Sequence, residues 1–186
     1  MTSERKYYSD YEKLESARNR FITEIANNVH LYDITSSAGR LYGTVFFSES
    51  PMTLDDMSKA LAMSKTSMST GIRALTEANM VERVWEKGNR KDLYKAEEDW
   101  YKSFSNVFIT RWRNATESNM KAIEDTKVLL MELKETTTYE KIEEKVVLDL
   151  EKLSGAEAYY EWLNEVIAMF ETGEIFDIVP KKTPKS

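Results

Sequence analysis

The chain has 186 residues, 41% of them hydrophobic and 31% charged, with a formal net charge of −6. This is the profile of a water-soluble globular protein with room for one ordinary domain, or a small module plus a second assembly. It contains no cysteine and one histidine, His30; this excludes disulfides, thiolate or His-rich metal sites and thiol redox sensing, and leaves little chemistry that needs a Cys nucleophile or a His base.

Three prolines and six glycines are few for this length, and helix formers dominate. Residues 11–32 read as a helix, with Leu14, Ala17, Phe21, Ile25 and Val29 recurring at helical spacing. His30 falls on or beside that stripe, where a packed or half-exposed ring is expected rather than a ligand or pH sensor. Residues 38–48 form a second apolar segment whose glycines, Gly39 and Gly43, weaken the helix pattern but permit close approach of a neighbour. A trihelical pattern follows. Thr53 stands where its hydroxyl caps a helix carrying Leu54, Met57 and Leu61, with Asp56 at the positive end. Met63-Ser64 makes a turn and Ser64 caps the next helix, in which Met68, Ile72 and Leu75 point inward. Asn79 then suits a left-handed cap. Residues 80–85 alternate as a strand, 86–91 form a polar turn centred on Gly88-Asn89, and 92–96 alternate again, which is a hairpin.

From Glu98 onward the pattern is helical. A long helix over about 98–135 is broken by Thr136-Thr137-Thr138, with Thr138 a candidate cap; helices over 139–153 and 156–171 are separated by Gly155. Pro180 and Pro184 mark the end of structure before a Lys-rich tail. The fold class expected is mainly α with a small β-hairpin: a winged helix-turn-helix plus long dimerisation helices. Its divisions are 1–50 (N-terminal support and dimerisation helices), 51–96 (winged helix-turn-helix), 97–180 (helical dimerisation and effector region) and 181–186 (flexible tail). Long amphipathic helices beside a small module need each other, or a second chain, to bury their stripes.

Charge is distributed unevenly. Residues 51–96 carry eight Lys/Arg against six Asp/Glu, whereas residues 97–180 carry nine against nineteen. A basic module is thus attached to an acidic helical body, and phosphate attraction acts only within a Debye length of the docking surface. A helix fits the major groove, and short hydroxylated side chains let its backbone approach closely. Lys65, Thr66, Ser67, Ser69, Thr70 and Arg73 supply that surface. Lys87, Arg90 and Lys91 make the hairpin tip basic, and Arg90 suits the narrow minor groove, where negative potential is enhanced. Double-stranded DNA is the expected partner.

The stretches Met63–Leu75, Asn79–Arg83 and Asn89-Arg90-Lys91 resemble the MarR-like winged-helix regulators. More narrowly, Gly39–Gly43, Met52–Met57, Ser64–Gly71 and Val84–Gly88 look like the GbsR-type branch, which controls choline uptake and glycine betaine synthesis under osmotic stress. The resemblance implies a homodimeric repressor on an inverted-repeat operator, with choline as inducer and glycine betaine as a related ligand. The wing departs from the common MarR pattern: Asn89 stands for the usual Asp and Lys91 for the second Arg, so phosphate contact rather than a bidentate one is expected at Lys91.

A quaternary ammonium has no N–H to donate and is held by aromatic faces. Aromatics crowd the module's borders, and Tyr42, Trp100, Tyr101 and Phe104 are the candidate effector residues. Glu97-Glu98-Asp99 reads as a complement to a helix dipole rather than a catalytic or metal site. The acidic face of 140–165 reads as solvated. No catalytic set, metal site or cofactor motif is found. A cytoplasmic address is expected, since no apolar run nears the ~18 residues of a membrane span and the basic N-terminus lacks an apolar signal core. The alternatives are a MarR-like repressor with another ligand or none, an architectural DNA-binding protein, a quaternary-amine enzyme, and a helical protein-interaction module.

Overall fold

A computed structural model describes residues 3–88 and 90–182. The chain divides into two units, one running to Phe104 and one from Ser105.

The first unit begins with α1 (Ser3–Asn28), which tightens into a 3-10 turn at Val29–Tyr32 and reverses at Asp33, where φ is 61°. The expected stripe is buried only toward its end: Val29 is in the core, while Leu14 and Phe21 are 46% and 39% exposed. His30 is exposed, and its Nδ1–H donates to the Asn27 carbonyl at 2.8 Å. The segment with two glycines is a helix, α2 (Ser36–Phe46), capped by the Thr35 hydroxyl. The glycines are what bring it onto α1. A Cβ on Gly39 would lie 2.8 Å from the Ala26 Cα and 2.7 Å from Val29 Cγ1, and one on Gly43 would lie 2.7 Å from Ile22 Cγ1. Their cost in helix propensity is offset by contact that no larger residue allows.

Next come α3 (Leu54–Leu61) and α4 (Lys65–Glu77). Thr53 and Asp56 form a full capping box: the Asp56 N–H donates to the Thr53 hydroxyl, and the Thr53 N–H donates to the Asp56 carboxylate at 3.0 Å. Ser64 caps α4 by accepting from the Ser67 N–H at 3.1 Å. Between the two helices Ala62 takes φ 52°, and after α4 Asn79 takes φ 53°, the left-handed cap its side chain tolerates. Met57, Met68, Ile72 and Leu75 close the core against Leu41 and Tyr42 of α2. Strands β1 (Val81–Val84) and β2 (Leu93–Ala96) pair antiparallel, with Val81 opposite Ala96 and Val84 opposite Leu93. Met52 adds one bridge to Tyr94. This is a winged helix-turn-helix.

Helix α5 (Trp100–Thr136) starts in the first unit, where the Ser103 hydroxyl donates to the Asn79 carbonyl at 2.6 Å. Asp99 caps it by accepting from the N–H groups of Tyr101 and Lys102, and Glu97 pairs with Lys102. The carboxylate run therefore serves the helix start, as its position suggests.

In the second unit α5 packs on α6 (Glu140–Thr172), followed by the short α7 (Ile175–Ile178). Phe108 lies on Phe170 with centroids 4.5 Å apart, Arg113 donates to Asn164 and Glu171, and Lys127 pairs with Glu157. Two expectations are corrected here. Gly155 does not end a helix; α6 runs through it and stops at Gly173, whose φ of 85° provides the left-handed cap. The apolar positions Val146, Leu163 and Ile167 on either side of Gly155 share one buried stripe, which outweighs the propensity cost of one glycine. Nor does Thr138 cap α6: Tyr139 occupies that position without a side-chain cap, and its N–H donates to Thr137 Oγ1. Pro184 and the rest of the tail from Thr183 lie outside the described residues, as does Asn89 of the wing turn.

Candidate nucleic-acid interface

Burial of Met68, Ile72 and Leu75 fixes the rotation of α4 and so determines what it displays. Lys65, Thr66, Ser67, Thr70 and Arg73 are exposed, and Ser69 is half-buried. All six expected residues thus lie on one helix, and small side chains occupy the turn nearest its N-terminus. The Ser67 hydroxyl has a local task, since it lies 2.9 Å from the Ser64 hydroxyl within the cap.

On the hairpin, Lys87, Arg90 and Lys91 are exposed, and Gly88 turns the wing with φ 92°. Arg83 pairs with Asp92 across the base of the wing, and Lys95 with Glu82 at 2.9 Å. Trp85 projects at the end of β1 with 79% of its surface exposed.

One carboxylate ties the two basic elements together. Asp55, in the first turn of α3, receives Lys65 Nζ on one oxygen at 2.9 Å and Lys91 Nζ on the other at 2.8 Å. The hydrogen bond from Lys65, then that from Lys91, lowers the Asp55 pKa to about 2, and Asp55 in turn raises that of Lys91. No local sequence pattern marks Asp55, whose partners lie ten and thirty-six residues away.

Two of the effector candidates, Tyr42 and Trp100, are in ring contact. Tyr42 is 2% exposed and meets the Trp100 ring edge-on at 5.8 Å; Phe46 and Phe21 also meet Trp100, at 5.7 and 6.5 Å. Burial pushes the Tyr42 phenol above its ordinary range. Phe104 is 47% exposed and Tyr101 half-buried. Phe21, not among the expected candidates, joins the cluster because α2 draws α1 in closely. No group of three or more potential metal ligands occurs among the described residues, nor is any helix there long and apolar enough to cross a membrane.

Residues 100–177, the span of α5 to α7, match the family model described as the C-terminal helical hairpin of GbsR family transcriptional regulators. The chain is 37% identical to the HTH-type transcriptional repressor GbsR of Bacillus subtilis (strain 168), over 94% of this chain and 97% of that one. The chain belongs to the GbsR family. A further member-like relative, the putative HTH-type transcriptional regulator YvaV of the same organism, is 41% identical over 90% of this chain and 95% of its own. The crystal structure of a transcriptional regulator superposes with a TM-score of 0.48 at 18% identity, covering 84% of this chain and 99% of that one. As a member of that family the chain is a transcriptional regulator, not an enzyme, with a winged helix-turn-helix ahead of the family's helical hairpin.

Proposed function

We propose that this regulator is a homodimeric repressor of choline uptake and glycine betaine synthesis genes, acting in the cytoplasm on an inverted-repeat operator and released by choline. The observation that carries the DNA-reading part is the shared exposure of Lys65, Thr66, Thr70 and Arg73 on α4 with Lys87, Arg90 and Lys91 on the wing. Phosphate contacts from the lysines set register, hydroxyls on α4 reach base edges, and Arg90 enters the minor groove. Dimerisation is supported by apolar surface that the chain leaves uncovered: Leu129, Leu148 and Trp162 of the second unit are 65%, 54% and 55% exposed.

The effector part rests on the GbsR-type resemblance and on the aromatic cluster around Trp100; Trp100 and the nearby candidate Phe104 are 39% and 47% exposed. A second reading, a repressor with a different ligand or none, is favoured by the edge-to-face packing of Trp100 against both Tyr42 and Phe46, which gives its ring partners without a guest. Footprinting on the DNA upstream of the protein's own gene, with and without choline, separates the two. Protection lost on adding choline supports the first reading, and protection unaffected by choline or glycine betaine supports the second. No salt-dependent DNA affinity at all refutes both. In the Trp100→Ala variant, operator binding persists and the choline response disappears.

A further inference from the structure

On the basic surface of α4 and the wing, the acidic side chain of Asp55 contacts both elements. Asp55 holds the first residue of α4, Lys65, and the wing lysine Lys91, one on each carboxylate oxygen, at 2.9 and 2.8 Å. All three groups face water: the lysines are 63% and 64% exposed and Asp55 35%. Ion pairs this exposed add little to folding and exchange readily, so the bridge is not a strut. Asp55 has no part in the capping box, which Thr53 and Asp56 complete without it. The chemistry left to it is that of a small anion seated among cations that serve phosphate.

We propose that Asp55 is an internal competitor for backbone phosphate: it occupies Lys65 and Lys91 in the free protein, and duplex DNA must displace it from both. The inference rests on the DNA-binding reading above and assigns within it a residue that sets affinity. When the lysines transfer to phosphate, the carboxylate is left without its partners and close to the polyanion. Net charge delivered to DNA by the three groups is therefore one, not two. Sequence-independent affinity depends on that net charge, with log K falling against log salt by about 0.9 per phosphate neutralised. Removing the carboxylate charge steepens the slope by about one. It also tightens binding at low salt by about three- to tenfold, the scale of one like charge a few ångströms from phosphate in a solvated interface.

The test is fluorescence anisotropy with a labelled duplex of random sequence, titrated at several salt concentrations between ~50 and ~200 mM. The proteins are the full chain, Asp55→Asn, Asp55→Ser and Asp10→Asn. The last makes the same change in net charge at an exposed pair with Lys13 on α1. Thermal melts confirm that each variant is folded, and the serine variant covers the case of an asparagine-specific defect. The expected result is tighter binding and a steeper slope for both Asp55 variants, no change for Asp10→Asn, and loss of the Asp55→Asn gain when Lys65 and Lys91 are both changed to Met. Wild-type binding with Asp55 variants that bind equally or more weakly overturns the inference alone. A wild-type protein without salt-dependent affinity overturns the DNA-binding reading, and the inference with it.

Discussion

Replacing Gly155 inside α6 and Gly173 at its C-cap by alanine gives effects of opposite sign. Gly155 lies within the helix, and apart from its chain neighbours and the adjacent helix backbone nothing among the described residues comes within 4 Å of a Cβ built on it. The gain from Gly155→Ala is then close to the helix-propensity difference, about 0.8–1.0 kcal/mol, with no steric term to subtract. For a chain of this size, 1 kcal/mol raises Tm by roughly 2–4 °C. Gly173 is at the C-cap with φ 85° and has equally open surroundings, so steric contact is again absent and only backbone conformation matters. A side chain in the left-handed region costs about 1–2 kcal/mol, and Gly173→Ala loses stability by that amount. Urea denaturation followed by circular dichroism measures both differences. A destabilised Gly155→Ala protein would refute the reasoning: either the chain turns at 155, or something packs against that α-carbon. A neutral Gly173→Ala protein would show that the cap is not left-handed.

Gly39→Ala places a methyl group 2.8 Å from the Ala26 backbone, so overpacking of about 1–3 kcal/mol exceeds the propensity gain of about 1 kcal/mol, and the protein is destabilised in the same urea assay. Thr53→Ala removes the hydroxyl of the capping box and costs about 0.5–2 kcal/mol at pH 7. Bonds from the Thr53 hydroxyl and N–H lower the Asp56 pKa, so its carboxylate contributes fully above the unfolded value of about 3.9; the contribution fades as pH falls through the lower folded value, and the difference between Thr53→Ala and wild type narrows in acid. Arg90→Ala weakens specific and random-sequence DNA binding alike and makes the salt slope shallower by about one; unchanged affinity would remove the wing from the interface.

The features legible in the sequence were those decided within a few residues. Caps at Thr53 and Ser64, the left-handed Asn79 and the inward face Met68, Ile72, Leu75 each depend on groups whose successive members are no more than four positions apart, and the structure shows all of them. The helix break expected at Gly155 was also a local inference, but there the deciding groups lie elsewhere. Val146, Leu163 and Ile167 bury one continuous stripe, and packing along a helix of 33 residues overrides a single weak position. Close approach at Gly39 worked the other way: the glycine weakened the local helix pattern, yet contact with Ala26 explains why the helix carries it.

Charge shows the same division between local pattern and placement. Summing residues 51–96 gives a net charge of only +2, a weak basis for expecting a phosphate partner. Three of the six acids in that span, Asp55, Glu82 and Asp92, are committed to lysines or arginines of the same module. Arg73, Lys87 and Arg90 project from the exposed faces of α4 and the wing. The electrostatic footprint offered to DNA is set by which cations reach the surface and which acids sit between them. In this module that makes Asp55, an acidic residue, as informative about nucleic-acid binding as the basic residues it contacts.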